Sequence, residues 1–278
     1  MTIRPSVRKV FALLFAIAAG AGALAWWTLV PASPAPMDWT PVFRGVEMRC
    51  EHATPGGPRL LALRLALDEP SLEIVLRPGD DGPGQYRLAM AGFERWRHGY
   101  QVLMNSALYQ PARKWTSYPG RLVRTVDTIV INGRAEHLWE HSYLLWAGRD
   151  NTPHLETTKP PPQASIAAAR WGIGVQGIQV GAGQPRPQAA DQLDRVESRT
   201  FIGFHSGSRR LYLLAWESAT PVEMMHDAIR LGVEWGGQLD SGSATHLLVE
   251  RPGRAAGIAS GRPLGPYLAL RAAPLGVD

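Results

Sequence analysis

The sequence predicts an α+β fold: mixed, mostly antiparallel β-sheets with a few packed helices, plus an N-terminal membrane segment. Three observations carry this reading. Apolar residues alternate at period two in several short stretches, most clearly at Leu61, Leu63, Leu65 and Leu67. Two other stretches, Leu88 to Trp96 and Val222 to Ile229, repeat at three-to-four spacing instead. Finally, Arg4, Arg8 and Lys9 precede an uncharged apolar run from Val10 to Val30, a pattern that keeps the basic end in the cytoplasm and sends the rest outward.

That apolar run has 21 residues, enough to span the ~30 Å hydrocarbon core of a bilayer. Trp26-Trp27 suits an interface, whereas Ala23-Leu24-Ala25 has the small-x-small form of a cleavage site. Residues 1–30 are therefore expected to be a signal anchor or a signal peptide, residues 31–41 a proline-rich linker, and residues 42–278 one domain. The expected location is the inner membrane with the domain facing the periplasm, or the periplasm itself. A hydrophobic content of 45% excludes a disordered chain. The single Cys50 excludes an intrachain disulfide and a thiolate metal cluster, and is expected to be buried. The net charge of +5 comes from scattered arginines without a basic run or interleaved aromatic motif. This argues against nucleic acid and suits anionic envelope polymers or phospholipid surfaces.

Taken in order, Val46, Met48 and Cys50 suggest a half-buried strand, Leu61 to Leu67 a second and Leu72 to Leu76 a third. Pro78 to Gly84 reads as a loop. The helix predicted from Leu88 to Trp96 leads into an apolar strand ending at Asn105. Ile129-Val130-Ile131, Asn132-Gly133 and the following residues read as a hairpin, and Tyr143 to Trp146 as strand. Thr157 to Pro162 and Pro185 to Ser198 are expected loops. Pro266 to Leu270 is a last short strand.

Three local patterns mimic known sites. His137-Leu138-Trp139-Glu140-His141 spells H-x-x-E-H, but on a strand residues four apart lie ~13 Å from each other and do not share one metal ion. Gly172-Ile173-Gly174-Val175-Gln176-Gly177 matches a dinucleotide fingerprint, yet Gly181, Gly183, Pro185 and Pro187 follow where the fingerprint needs a helix. Asp240, Ser241, Ser243 and His246 supply hydrolase residue types without a nucleophile elbow, and close neighbours on a hairpin rarely converge as a triad.

The most informative stretch is Arg199 to Val249. Phe201 to His205 and Leu211 to Trp216 read as a hairpin closed by Ser206 to Arg210. Thr220-Pro221-Val222-Glu223 then starts a helix, with Thr as cap, Pro at the first position and Glu in the capping box. Val222, Met225, Ala228 and Ile229 form its expected packing face, and Gly232 its stop. Val233 to Leu239 returns as a strand, Asp240 to Ser243 bends, and His246 to Val249 leaves as a strand. Asp, Ser and Gly are also what an ordinary turn selects.

Arg199-Thr200, Ile202-Gly203, Thr220, Glu223, Leu231-Gly232, Leu239-Asp240, Gly242 and Ser243 resemble the phosphodiester glycosidase family in type and spacing. Val102 to Tyr109 resembles that family's apolar strand ending in Asn-Gly-Gly. The resemblance covers residues 85–272 and is strongest in the last third. Where the family carries glycine, this chain has Ser106, Ala107 and Ser241.

The resemblance implies an envelope hydrolase that cleaves a sugar–phosphodiester linkage, or a non-catalytic glycan- or envelope-polymer-binding module of the same fold. It implies Asp240, Asn105 and Arg199 as catalytic residues, and Ser243, Gly242, Ser241, Tyr109 and Thr200 around the substrate. Arg199 suits a phosphodiester because its planar fork meets two phosphate oxygens. Asp240 is then a general base, a nucleophile, or the holder of a divalent cation. The implied partners are a glycan or sugar-phosphate substrate and, through the N-terminal segment, the membrane. Thr220 and Glu223 are expected to be helix caps.

Overall fold

The computed structural model describes residues 38–52, 59–110, 117–186, 194–250 and 256–276. The expected membrane segment, residues 1–30, lies outside them. No helix among the described residues is long and apolar enough to cross a membrane.

An eight-stranded sheet runs in the order Thr40–Phe43, Val46–His52, Arg59–Ala66, Arg210–Ala219, Glu197–His205, Trp235–Gln238, Val180–Gly181, Gln184–Pro185. A second sheet orders Ala256–Ala259, His246–Val249, Val102–Asn105, Tyr267–Arg271 and Glu73–Leu76. A third orders Arg134–His137, Ile129–Ile131, Trp171–Val175, Tyr143–Ala147 and Pro153–Glu156, and a small one Gln85–Arg87, Leu122–Thr125 and Tyr109–Gln110. Helices α1 (Ala91–His98), α2 (Gln163–Ala168) and α3 (Pro221–Arg230) pack around them. The strand pairs within the four sheets are antiparallel, so the expected mixture with parallel pairing is absent among the described residues.

The large sheet is buried on both faces. On one, Phe201, Leu214 and Trp216 meet Met224, Ala228 and Leu231 from the α3 region. On the other, Leu61, Leu63, Leu65, Ile202 and Leu213 are also buried, each contributing ~1.5–3 kcal/mol relative to exposure. Cys50 is buried as expected.

Helix α3 starts as its sequence indicates. Thr220 Oγ1 accepts from Glu223 N at 3.2 Å and Glu223 Oε2 accepts from Thr220 N at 2.8 Å, completing the reciprocal cap. Gly232, at φ +102°, ends the helical path where a side chain would be strained. The buried face is rotated from expectation: Met224 is fully buried and Val222 is 36% exposed. Met224, Ala228 and Leu231 follow the i, i+4, i+7 line onto the sheet, leaving Val222 at the open first turn.

Other differences are local. Helix α1 begins at Ala91 rather than Leu88, because Ala89 pairs with Leu264 as an isolated β-bridge. Helix α2 follows the expected proline loop; its alanine-rich run carries no periodic apolar signal. The strand before Asp240 spans only Trp235–Gln238, since Val233 N donates to Ala228 O at the helix end. The first strand starts at Thr40, inside the expected linker. Asn132 and Gly133 both have positive φ, matching the tight turn read from the sequence. Gly172 and Gly174 lie in a strand, which excludes the dinucleotide loop.

The strand carrying the chain to Asp240 is sterically critical at Gly237, where a Cβ would stand 2.3 Å from Gly177 O. Gly237→Ala is expected to lower stability by ~1–3 kcal/mol. Gly92→Ala, on α1 with nothing within 4 Å of the added carbon, is expected to raise it by ~0.5–1 kcal/mol. Urea titrations of both variants check the pair, and a neutral Gly237→Ala would contradict the packing described.

Candidate functional site

Asp240 lies between the large sheet and the second sheet. Leu239 N donates to Thr200 O at 3.0 Å, and Asp240 N donates to Ser106 O at 3.2 Å. Asn105, at the end of its strand, holds the same point with its side chain. Its Nδ2 donates to Asp240 O at 2.5 Å and to Thr200 Oγ1 at 3.1 Å, while its Oδ1 accepts His246 N at 2.8 Å. Thr200 Oγ1 donates to Asp240 O at 2.6 Å. Asn105 thus meets Asp240 through the Asp240 carbonyl rather than its carboxyl.

Arg199 is buried and turned to other partners. Its Nε donates to Ala219 O at 2.7 Å, Nη1 donates to Gln238 Oε1 at 3.0 Å and lies 3.3 Å from Glu197 Oε1, and Nη2 donates to Arg195 O. Gln238 Nε2 in turn donates to Ser241 Oγ at 3.0 Å, and that hydroxyl donates to Leu239 O at 3.2 Å. Arg199 thus braces the Asp240 bend through Gln238 and Ser241. Gly242, at φ +65°, begins the 3-10 turn Gly242–Ala244. Ser106, Ala107 and Ser241 do not adopt positive φ, so none requires glycine's freedom.

The cation whose field reaches the Asp240 carboxyl is Arg262. Its guanidinium lies over the Tyr109 ring, 4.6 Å from the centroid, and Nη1 donates to Ser243 Oγ at 3.4 Å. Tyr109 donates its hydroxyl to Pro263 O at 2.8 Å. Nε and Nη2 of Arg262 are buried without a hydrogen-bond partner among the described residues.

A second acid, Asp127, is 1% exposed. Its Oδ2 accepts Leu108 N at 2.6 Å, while Oδ1 has no hydrogen-bond partner among the described residues. Burial pushes Asp127 up to about 6, against the Leu108 N–H that favours its charged form. Burial also pushes Asp240 up to about 7; Arg262 opposes this, the charge of Asp127 adds to it, the Ser241 N–H opposes it and Glu197 adds to it. The charge of Asp127 resists the ionisation of Asp240. His246 is buried with Nδ1 at Ala244 O, 3.0 Å away, and burial lowers its ring to about 4. It is neutral at physiological pH.

Asp127 and Arg262 escaped the sequence reading. Asp127-Thr128 looks like a break between strands and Gly261-Arg262-Pro263 like a turn. No local signal marks either, since their relation to Asp240 arises only when distant segments meet. Among the described residues no three His, Cys, Asp or Glu side chains gather as metal ligands. A cavity of about 360 Å³, lined by Trp216, Glu223, His226 and Arg230 among others, has its arginine committed to Glu51 and Asp227.

The fold resembles that of a glycosidase catalytic domain. The catalytic domain of zebrafish N-acetylglucosamine-1-phosphodiester alpha-N-acetylglucosaminidase, auto-inhibited by its pro-peptide, superposes with a TM-score of 0.63 at 12% identity, over 86% of this chain and 87% of that one. A hypothetical protein from Synechocystis is also similar, with a TM-score of 0.49 at 12% identity, over 84% of this chain and 64% of its own. No protein-family model matches the sequence, and no curated protein matches it. At this identity the likeness is one of fold.

Removing the Asn105 amide leaves the buried His246 N–H unpartnered, so Asn105→Ala is expected to cost ~1–3 kcal/mol in a urea titration. The acids set a pH dependence of stability. Their folded values lie above the ordinary 3.8, so the contribution they make is complete below about pH 4 and is lost as the pH rises through about 6 and 7. Asp240→Asn is expected to exceed the native chain in stability at about pH 8 by up to ~4 kcal/mol and to match it near pH 4. Equal stability at the higher pH would contradict the buried acid.

Proposed function

We propose that this site is the centre of an envelope hydrolase that cleaves the bond between a sugar's anomeric carbon and a phosphodiester oxygen. The observation that carries the reading is the buried acid pair, Asp127 and Asp240, beside an arginine whose Nε and Nη2 are buried with no hydrogen-bond acceptor placed on them among the described residues. The fold shared with the zebrafish glycosidase supports the bond class, as do the residues that resemble the phosphodiester glycosidase family. The envelope location rests on the Val10–Val30 run, outside the described residues.

Between about pH 6 and 7 one proton is held by the pair, mainly on Asp240. Asp127, ionised, acts on the anomeric carbon directly or through water; Asp240, protonated, gives its proton to the departing oxygen. A phosphoryl leaving group is a weak base and needs less of that proton than an alcohol does. It brings negative charge instead, which the fork of Arg262 receives in two parallel hydrogen bonds. Tyr109 steadies Arg262 from beneath, and Ser243 steadies it at one edge. Asn105, Thr200, Arg199, Gln238 and Ser241 are positioning residues, holding the chain that presents Asp240.

The test is a panel of glycosyl phosphodiesters assayed across pH. The native chain is expected to show a bell-shaped kcat/KM with limbs near about 6 and 7, and Asp240→Asn or Asp127→Asn to lose ~100- to 10,000-fold in rate while still binding. Binding of glycosyl phosphates by the native chain with no turnover anywhere in the panel would make the site a non-catalytic glycan-binding module. Full activity in both acid variants would remove the acid pair from the chemistry.

A further inference from the structure

Helix α1 presents a surface unlike its inner side. Phe93 is 48% and Trp96 68% exposed, one turn apart with ring centroids separated by 5.9 Å. Arg97 and His98 complete the exposed face. The helix's one acid, Glu94, is buried and accepts the Tyr267 hydroxyl at 2.9 Å. The turn from Tyr118 to Leu122 is fastened to Leu88, three residues ahead of α1: Leu88 N donates to Arg121 O at 2.8 Å and Gly120 N to Leu88 O at 2.7 Å. Tyr118 and Leu122 are exposed there too, with Arg121 over the Tyr118 ring. Arg124 faces solvent on the same side of the strand as Leu122.

Four of the eight large hydrophobics exposed among the described residues thus fall on two neighbouring segments. The charged side chains exposed with them, in residues 91–98 and 117–125, are all basic, and the one exposed acid ion-paired with α1, Glu250, lies 3.5 Å from Arg95 Nη1. Scattered exposed apolar residues need no explanation, whereas such a grouping does. Rings for stacking a neutral sugar usually stand beside carboxylate or amide acceptors for its hydroxyls. This corner offers none in those two segments and points to a partner that is apolar within and anionic at its surface.

We propose that the corner formed by α1 and the Tyr118–Leu122 turn docks the domain onto an anionic phospholipid surface. The aromatic rings and Leu122 enter the headgroup boundary and the arginines meet lipid phosphates. The Val10–Val30 run, read above as a membrane segment, would keep the domain within reach of such a surface. The inference is independent of the hydrolase reading, because it uses no residue of the acid site.

The experiment reconstitutes the full chain into phosphatidylcholine vesicles with or without phosphatidylglycerol, using brominated acyl chains as fluorescence quenchers. The chain has ten tryptophans, so the difference between the native protein and Trp96→Phe isolates the Trp96 emission. That component is expected to be quenched in phosphatidylglycerol vesicles, with the quenching relieved by high salt and by Arg97→Glu combined with Arg124→Glu. An unchanged near-ultraviolet circular dichroism spectrum establishes that the variants are folded. No quenching of Trp96 in any vesicle overturns the proposal, and quenching indifferent to phosphatidylglycerol overturns its anionic character. A Trp96 emission shift with a soluble anionic polysaccharide, without quenching in vesicles, also overturns it and makes the corner a polymer site.

Discussion

The side-chain amide of Asn105 ties three segments to one point, and the candidate site depends on that junction. It holds the carbonyl of Asp240, the hydroxyl of Thr200 and the backbone N–H of His246. These belong to segments separated by 95 to 141 positions from Asn105. A buried amide can satisfy two acceptors and one donor at once, which no apolar side chain of the same volume does. The geometry therefore favours one seating of the Asp240 bend between the two sheets, and an alternative seating would leave several buried polar groups unpaired.

The same enclosure shapes the electrostatics. Residues that fill the seam around Asp240 also keep water from it, and burial is the leading cause of the rise in both Asp127 and Asp240. A carboxyl held protonated near neutrality is a proton donor, so the chemical capacity of the site and its cost to stability have one origin. Arg262 limits that cost without removing it: its charge favours the ionised form of Asp240, while Asp127 and Glu197 oppose that form.

Much of the framework was legible in the sequence because it is written in local chemistry. The Thr220–Glu223 cap, the Asn132-Gly133 turn and the alternation from Leu61 to Leu67 each specify their element without help from distant residues. Asp240 was legible as a candidate because a carboxylate follows a strand and precedes a polar bend. Arg199 drew attention as a guanidinium near it in the motif, yet its hydrogen bonds run to Ala219, Gln238 and Arg195. Asp127 and Arg262 gave no signal, since an Asp or Arg in a turn-like context is ordinary until the fold places it. The rotation of α3 that buries Met224 in place of Val222 is of the same kind: spacing fixes a period, while the sheet's shape selects the face.

This division explains how a fold can persist when little sequence does. The backbone at Ser106, Ala107 and Ser241 needs no positive φ, so glycine at these positions is not a requirement of the path. Ser241 is absorbed into the bracing chain from Arg199 through Gln238. Ser106 keeps its backbone carbonyl on Asp240 N, a bond indifferent to the side chain above it. The constraints that cannot drift are of another sort: a carbon added at Gly237 meets a backbone oxygen, and no apolar isostere of Asn105 makes its two donated and one accepted hydrogen bonds. A chain that keeps these few contacts can change most other residues and still bring Asp240 to the same place, where the acid and guanidinium beside it, rather than the surrounding motif, decide its chemistry.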